Sequence, residues 1–230
     1  MKTGKKALLM TLCAVLLIVA SVMGTVAYLT SSDTVTNTFT VGNVKITLDE
    51  AKVDEYGVAA SPAVRVDANT YKLLPGHEYT KDPTVTVVKG SEESYIRMLV
   101  TVSDIDALKA AFPVAKYADF YNGDGDIFLL QKLVTGWDSA VWVSTNVVNE
   151  KTDGSCVYEF RYKTTVDASK ATADTVLEPL FKTIVIPDTV DGTALAELNN
   201  VKIIVTAEAI QADGFATAAD AYDALDKEAA

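Results

Sequence analysis

The sequence predicts an all-β protein: an antiparallel β-sandwich with a few short helices, preceded by an N-terminal signal helix. Three observations carry this prediction. Short stretches rich in β-branched and aromatic residues alternate apolar and polar positions, as strands with one buried face do. Turn sequences containing glycine or proline separate these stretches, and helical periodicity is confined to three short segments. A lysine-containing start followed by an apolar run opens the chain, as in secretory signals.

The N-terminal apolar run predicts export. It occupies residues 7–23, follows three lysines and ends before Gly24, which disfavours helix. Thr25 and Ala27 are small enough for the pockets of a signal peptidase, so we predict cleavage between Ala27 and Tyr28 and secretion of the remainder. The run is at the short limit of the roughly 17–25 residues that span a bilayer, so an uncleaved anchor is the alternative.

The chain divides into three parts: a signal peptide at 1–27, an N-terminal segment at 28–40 and one β-sandwich domain at 41–230. The length of the third part suits one medium domain. The whole chain has a formal net charge of −11, and the leader contributes only positive charge. We therefore expect a soluble exported protein that does not bind nucleic acid and that contacts a membrane only through an uncleaved signal segment.

Strand-like stretches follow one another through the predicted domain. They lie at 39–41, 44–48, 85–87, 95–102, 141–148, 158–162, 183–186 and 201–209. The stretch at 95–102 alternates little, which predicts a strand covered on both faces. The alternation changes phase at Gly42 and Asn43, which predicts a bulge or a tight bend there. Turn chemistry stands at 73–76, 89–91 and 153–155.

Three short segments have helical features. Residues 104–112 place apolar side chains on one face and end before Pro113, and residues 193–198 suffice for one or two turns. Thr217 is a suitable N-cap for a helix at 218–227. This small share of helix favours a sandwich over a mixed fold.

The residues offer little for catalysis. His77 is the single histidine and follows Pro75 and Gly76 in a predicted turn, whereas a zinc protease of the helical type needs two histidines one turn apart. No nucleophile is marked beside His77 for a Ser-His-Asp or a Cys-His arrangement. We predict a protein that is not an enzyme and has no catalytic residue. Cys156 is the one cysteine outside the leader, so we expect a buried, inert thiol, with an intermolecular bridge as the alternative.

One stretch contains candidate metal ligands. Asn122, Asp124 and Asp126 alternate oxygen-bearing side chains with glycines, a pattern that can wrap calcium. Ile127 stands where a glycine would follow the third acid, and no glutamate closes the loop. Calcium is therefore the one candidate cofactor, and a solvated acidic turn is the alternative.

Two further groups of residues first suggest a binding site. Trp137 and Trp142 could form a sugar platform, but their spacing favours packing in the core or at a sheet edge. Glu208 and Gln211 are more simply explained as a polar cap at the end of a strand.

The leader and the body together resemble a known family. The leader ends Gly24-Thr25-Val26-Ala27-Tyr28-Leu29-Thr30, with Asn37-Thr38-Phe39-Thr40-Val41-Gly42-Asn43-Val44 after it. This resembles the signal class processed by the SipW-type signal peptidase in TasA/camelysin-like exported proteins of Gram-positive bacteria. The body is similar to clostridial members at 71–76, 80–87, 94–97, 158–163, 177–181 and 207–215.

The resemblance implies a fold and a function. The fold is a β-sandwich of jelly-roll type, and the function is that of a secreted structural subunit of extracellular fibres or biofilm matrix, at the cell surface or in the matrix. The implied partners are a dedicated signal peptidase and other copies of the chain or related matrix subunits. Camelysin is labelled a metallopeptidase, but this sequence lacks a zinc-ligand set. A camelysin-like secreted metallo-endopeptidase and a monomeric cell-surface adhesin or binding module are the alternatives.

In such a subunit, the segment freed by cleavage adds as a strand to the next subunit. That segment is polar, lacks glycine and proline and has strand propensity, so it can pair with an exposed sheet edge through its main chain. The predicted donor strand consists of Tyr28, Leu29, Thr30, Ser31, Ser32, Asp33, Thr34 and Val35. A disordered N-terminal tail is the alternative.

Overall fold

The computed structural model describes residues 30–34, 37–40, 43–120 and 132–228. Over these residues the chain consists mostly of β-strands in antiparallel sheets, with few short helices, which confirms the all-β prediction. The leader, and with it the predicted signal helix, lies outside the described residues. No helix in the part of the chain that the structure describes is both long and apolar enough to cross a bilayer.

The described residues form thirteen strands and three α-helices. The strands are β1 Thr30–Thr34, β2 Asn37–Thr40, β3 Ile46–Ala51, β4 Arg65–Val66, β5 Glu78–Thr80, β6 Thr84–Val87, β7 Ser94–Val102, β8 Val134–Thr135, β9 Trp142–Glu150, β10 Cys156–Tyr162, β11 Thr175–Val176, β12 Thr183–Val185 and β13 Ile203–Gln211. The helices are α1 Ile105–Ala111, α2 Gly192–Ala196 and α3 Ala218–Glu228.

The largest sheet contains the first and the last strands of the chain. Its order is β2-β1-β13-β7-β10-β9, and each neighbouring pair is antiparallel. β13 and β7 pair along their full lengths, from Ile203 opposite Val102 to Gln211 opposite Ser94. This long register makes the pair the centre of the sheet.

The other strands form a four-stranded sheet, β11-β6-β3-β4, and a three-stranded sheet, β5-β12-β8. Alternate residues of β3 and β6 are buried, as period-two patterning requires. Their apolar side chains share one hydrophobic core with the inward-facing side chains of β7, β10 and β13. The predicted alternation at 44–48 and 85–87 is thereby confirmed.

The helix predictions are confirmed with small changes of boundary. α1 begins after Asp104, whose side chain accepts a hydrogen bond from the Ala107 amide at 2.9 Å. Thr217 caps α3 by accepting from the Asp220 amide at 3.2 Å. α3 packs on the outer face of the six-stranded sheet, where Ile210, Tyr222 and a few neighbours form a second, smaller apolar cluster.

Four strands were not predicted. β4, β5, β8 and β11 contain two or three residues each, too few to show alternation. The turns predicted at 89–91 and 153–155 are formed, with Gly90 and Gly154 in the left-handed region. At the predicted bend, Asn43 is in a turn, whereas Gly42 lies outside the described residues.

Candidate functional site

The predicted donor strand lies along the edge of β13. β1 runs antiparallel to it, with Thr30 opposite Ile210 and Thr34 opposite Thr206. Five of the eight donor residues therefore form a strand, and they pair with the chain's own last long strand. The other three donor residues, Tyr28, Leu29 and Val35, and the predicted cleavage bond after Ala27 lie outside the described residues.

β2 pairs antiparallel with β1 on its outer side. The register runs from Ser31 opposite Thr40 to Thr34 opposite Asn37. β2 is one edge of the six-stranded sheet as described, and β9 is the other. The pair formed by β1 and β2 is thus an addition to a sheet whose remaining strands, β13, β7, β10 and β9, all come from later in the chain.

β13 is held in place on its three other sides. β7 pairs with it along one edge, and Val205, Ala207 and Ala209 are buried in the main core on its inner face. On the outer face, Ile210 packs beneath α3, and the Tyr222 hydroxyl donates to the Glu208 backbone carbonyl at 3.2 Å. These contacts fix the position of the β13 edge with which β1 pairs.

A buried arginine joins β7, β13 and α3. The side chain of Arg97 is 4% exposed, and its Nε donates to Glu208 Oε2 at 2.6 Å. Its two terminal nitrogens donate to the Asp226 carboxylate, one of them at 3.0 Å. Glu159 Oε1 lies 3.7 Å from the same guanidinium, and the Tyr222 ring centroid lies 4.4 Å from its Cζ. The arginine therefore fastens α3 across the middle of the sheet.

The electrostatics of this cluster follow from burial and charge. Burial alone would lower the pKa of Arg97, but its hydrogen bonds to Asp226 and its pairing with Glu208 outweigh burial and raise it. The hydrogen bond from Arg97 lowers the pKa of Asp226. Burial raises the pKa of the Tyr222 phenol well above its usual value. At neutral pH, Arg97 and Asp226 are therefore charged in this cluster and the Tyr222 phenol is neutral.

Glu208 has a larger role than the predicted polar cap. It lies within β13, three residues before the end of that strand, and it forms an ion pair with Arg97. Gln211 is the last residue of β13, where its side-chain amide donates to the Asp213 carbonyl at 3.3 Å, which agrees with the cap. The sequence contained one signal for the difference: Arg97 is the one charged residue of β7.

The histidine and the cysteine are both packed into the fold. His77 is half-buried, with Nε2 2.8 Å from the Tyr56 carbonyl oxygen and its ring centroid 4.8 Å from that of Tyr79. Cys156 is fully buried at the start of β10, as predicted. The contacts of His77 give it a packing role between two aromatic rings.

The two tryptophans are packed as predicted. Trp142 is fully buried and donates from Nε1 to the Glu178 carbonyl at 2.9 Å. Trp137 is half-buried, donates to the Trp142 carbonyl at 2.8 Å and meets the Phe160 ring edge-on. Neither indole face is arranged as an open platform for a sugar.

The calcium prediction is not addressed by the described residues. Asn122, Asp124 and Asp126 lie outside them. Elsewhere, in the ranges that the structure describes, no group of three or more His, Cys, Asp or Glu side chains could hold a metal ion. Calcium binding at 122–126 stays a prediction from the sequence.

Comparisons with known proteins add no relative. No protein-family model, curated protein or solved structure matches this chain. The resemblance to TasA/camelysin-like proteins therefore rests on the sequence motifs.

Proposed function

We propose that this chain is a secreted structural subunit of extracellular fibres or biofilm matrix, and that it assembles by strand donation after its signal peptide is cleaved. One observation carries the proposal: β1, next to the predicted cleavage point, occupies the edge of β13 as an added strand. Fibre assembly requires that β1 of one subunit take this place in another.

The pairing of β1 with β13 is of a kind that can be exchanged. It is made through the main chain, and β1 has the polar sequence Thr30-Ser31-Ser32-Asp33-Thr34. The same register is available on the β13 edge of every other copy. A β1 strand that moved to another subunit would therefore make the same contacts as it makes with its own β13. Domain swapping of this type has a low energetic cost.

The concentration of subunits determines whether β1 pairs with its own β13 or with the β13 of another subunit. A strand attached by a short connection has an effective concentration on the order of millimolar at its own β13. Dilute subunits therefore keep their own strand, and donation between subunits needs a high local concentration. A cell surface or matrix that collects secreted subunits supplies that condition. Because a head-to-tail contact does not close on itself, repeated donation generates filaments.

The leader controls when β1 becomes available. Thr30 stands three residues after Ala27, so an uncleaved leader would remain attached directly to the start of β1. An anchored subunit can place β1 only near its own membrane attachment. Cleavage between Ala27 and Tyr28 by the dedicated peptidase removes that restraint.

The finer fold belongs to the same proposal. The six-stranded and four-stranded sheets share one hydrophobic core, which supports a two-layered sandwich. We assign it the jelly-roll type that the family resemblance implies. A rigid sandwich with a separable first strand suits a repeating structural unit.

The test uses two chains that each carry one new cysteine. Thr34→Cys and Thr206→Cys place cysteines at positions that are opposite each other in the register. Opposed residues of antiparallel strands approach closely enough for a disulfide with minor adjustment. Equal amounts of the two mature variants are mixed, allowed to assemble and oxidised mildly. We expect a disulfide between position 34 of one chain and position 206 of the other, identified by peptide mass spectrometry.

A matched control moves the donor cysteine out of register. Thr30→Cys, four residues away and opposite Ile210, replaces Thr34→Cys in the mixture and should give little of the same product.

Electron microscopy and sedimentation of the mature chain, of Thr34→Pro and of a chain beginning at Val41 accompany the experiment. Proline removes a ladder donor, so Thr34→Pro should stay monomeric and folded. Strand donation is wrong if fibres form without the 34–206 disulfide, or if all three chains form the same fibres.

A further inference from the structure

A second buried polar cluster lies at the end of β3, away from β1. Glu50 is the penultimate residue of β3, and its carboxylate accepts hydrogen bonds from two side chains. Its Oε2 accepts from Lys81 Nζ at 2.6 Å, and its Oε1 accepts from Asn69 Nδ2 at 2.9 Å. The side chains of Lys81 and Glu50 are only 9% and 7% exposed. A primary amine and a carboxamide are thus held on the two oxygens of one buried acid.

The amide of Asn69 is held in a reactive orientation. Its Oδ1 accepts from the Val53 backbone amide at 3.0 Å, which draws electron density from the carbonyl carbon. Its Nδ2 donates to Glu50 and also to the Ala51 carbonyl at 2.9 Å. The carbonyl oxygen therefore faces a hydrogen-bond donor that can stabilise developing negative charge, and the nitrogen faces a group that can supply a proton.

The cluster adjoins a small cavity. The cavity has a volume of about 130 Å³ and is lined partly by the apolar residues Leu48, Pro83 and Val205. One proton passing along the 2.6 Å hydrogen bond from Lys81 to Glu50 turns the ion pair into an uncharged amine and acid. The cavity also offers space into which a small product can leave.

We propose that Lys81 and Asn69 form an intramolecular isopeptide bond, with Glu50 as the proton carrier. Glu50 takes a proton from Lys81 Nζ, and the freed lone pair attacks Asn69 Cγ. The tetrahedral intermediate collapses as its Cγ–Nδ2 bond breaks and Glu50 returns a proton to the leaving nitrogen. Glu50 then takes the second surplus proton from Nζ, which leaves a neutral amide and a protonated Glu50. One C–N bond forms, one breaks, and ammonia is released; no oxidant, metal or other reactant takes part.

The positions of the three residues make the step feasible. Nζ and Nδ2 are separated by one carboxylate and two hydrogen bonds, so rotation of the long lysine side chain can carry Nζ toward Cγ. An ordinary buried ion pair is a weak source of stability, because desolvation offsets its attraction. A covalent link fastens the loop that contains Asn69 to the chain after β5 and does not depend on strand donation.

Mass spectrometry of the whole protein tests the bond. We expect the purified wild-type chain to be lighter than its sequence mass by one ammonia molecule. Glu50→Gln keeps the shape of the side chain, but it accepts a hydrogen bond at only one of the two positions and cannot relay the proton, so it should retain the full mass. Asp49→Asn, at the neighbouring carboxylate that pairs with Arg65, is the matched control and should still lose ammonia. Expressing all chains identically cancels differences in N-terminal processing.

A tryptic digest locates the link. Because trypsin does not cut at an acylated lysine, the linked product joins peptide 66–72 to peptide 73–89, whereas an unlinked chain yields 73–81. Asn69→Asp provides a second test in case Glu50→Gln does not fold, since a carboxylic acid condenses with loss of water instead of ammonia. Full mass with free peptide 73–81 in the wild type overturns the proposal. Loss of ammonia without a linked peptide, as a cyclised asparagine would give, overturns it as well.

Discussion

Replacing Arg97 with methionine should be among the most damaging single changes in the six-stranded sheet. Methionine fills a similar volume but removes the cation that faces Glu208, Glu159 and Asp226. The two glutamates remain on the covered outer face of the sheet, with side chains 18% and 11% exposed. The variant therefore leaves the largely buried Glu208 carboxylate without its cation, whereas Glu159 keeps the hydrogen bond from Arg161 Nε at 2.6 Å.

The size of the effect follows from these exposures. Removing one partner of a buried ion pair costs about 3–5 kcal/mol, and Glu208 meets that description. The Asp226 side chain is 56% exposed, so its share is discounted to at most about 1 kcal/mol. We expect Arg97→Met to reduce the free energy of unfolding by about 3–5 kcal/mol, a large part of the roughly 5–15 kcal/mol typical of a domain.

Urea unfolding at pH 7 measures this loss. With a slope of about 2 kcal/mol per molar urea, the midpoint should fall by about 1.5–2.5 M. Asp226→Asn is the matched variant, because it removes the exposed member of the cluster and leaves Arg97 paired with Glu208. It should cost at most about 1 kcal/mol. An Arg97→Met chain within 1 kcal/mol of wild type, or an Asp226→Asn chain as unstable as Arg97→Met, would refute the reasoning.

The contribution of Asp226 to the free energy of unfolding depends on pH in a defined direction. Its folded-state pKa lies below the usual value because Arg97 donates to it. The stabilisation is therefore complete above the unfolded pKa of about 3.9 and is lost as the pH falls through the lower folded value. The difference in unfolding free energy between wild type and Asp226→Asn should shrink below about pH 4.

Two further predictions concern a tight backbone contact and the predicted cleavage. Gly57 and Gly90 both have positive φ, but a Cβ at Gly57 would lie 2.6 Å from the Tyr79 Cα, whereas nothing lies within 4 Å at Gly90. Both alanine variants should lose about 1 kcal/mol through the left-handed backbone, and Gly57→Ala about 1–3 kcal/mol more through overpacking, measured by chemical denaturation. Equal losses of stability in the two variants would contradict the close contact between Gly57 and Tyr79. N-terminal sequencing of protein from the culture medium should begin at Tyr28, whereas intact Met1 in a membrane fraction would favour the anchor.

The sequence by itself determined the elements whose signals are local. The strand predicted at 95–102 became β7, because eight residues are enough to show both strand propensity and coverage of both faces. The helix at 104–112 was predicted closely, because Asp104 caps its start and Pro113 follows its end. Burial of Cys156 also followed from residue type alone.

Only the tertiary structure decided which distant residues meet. Arg97 and Glu208 are 111 positions apart and touch because β7 and β13 pair in one register. Glu50, Asn69 and Lys81 come from a strand end, a loop and the residue after a short strand, and no periodicity links them. Contacts of this kind depend on chain folding over long sequence distances, which a local pattern does not encode. The place of β1 on the edge of β13 was decided in the same way, since a polar segment with strand propensity does not specify which edge it will join.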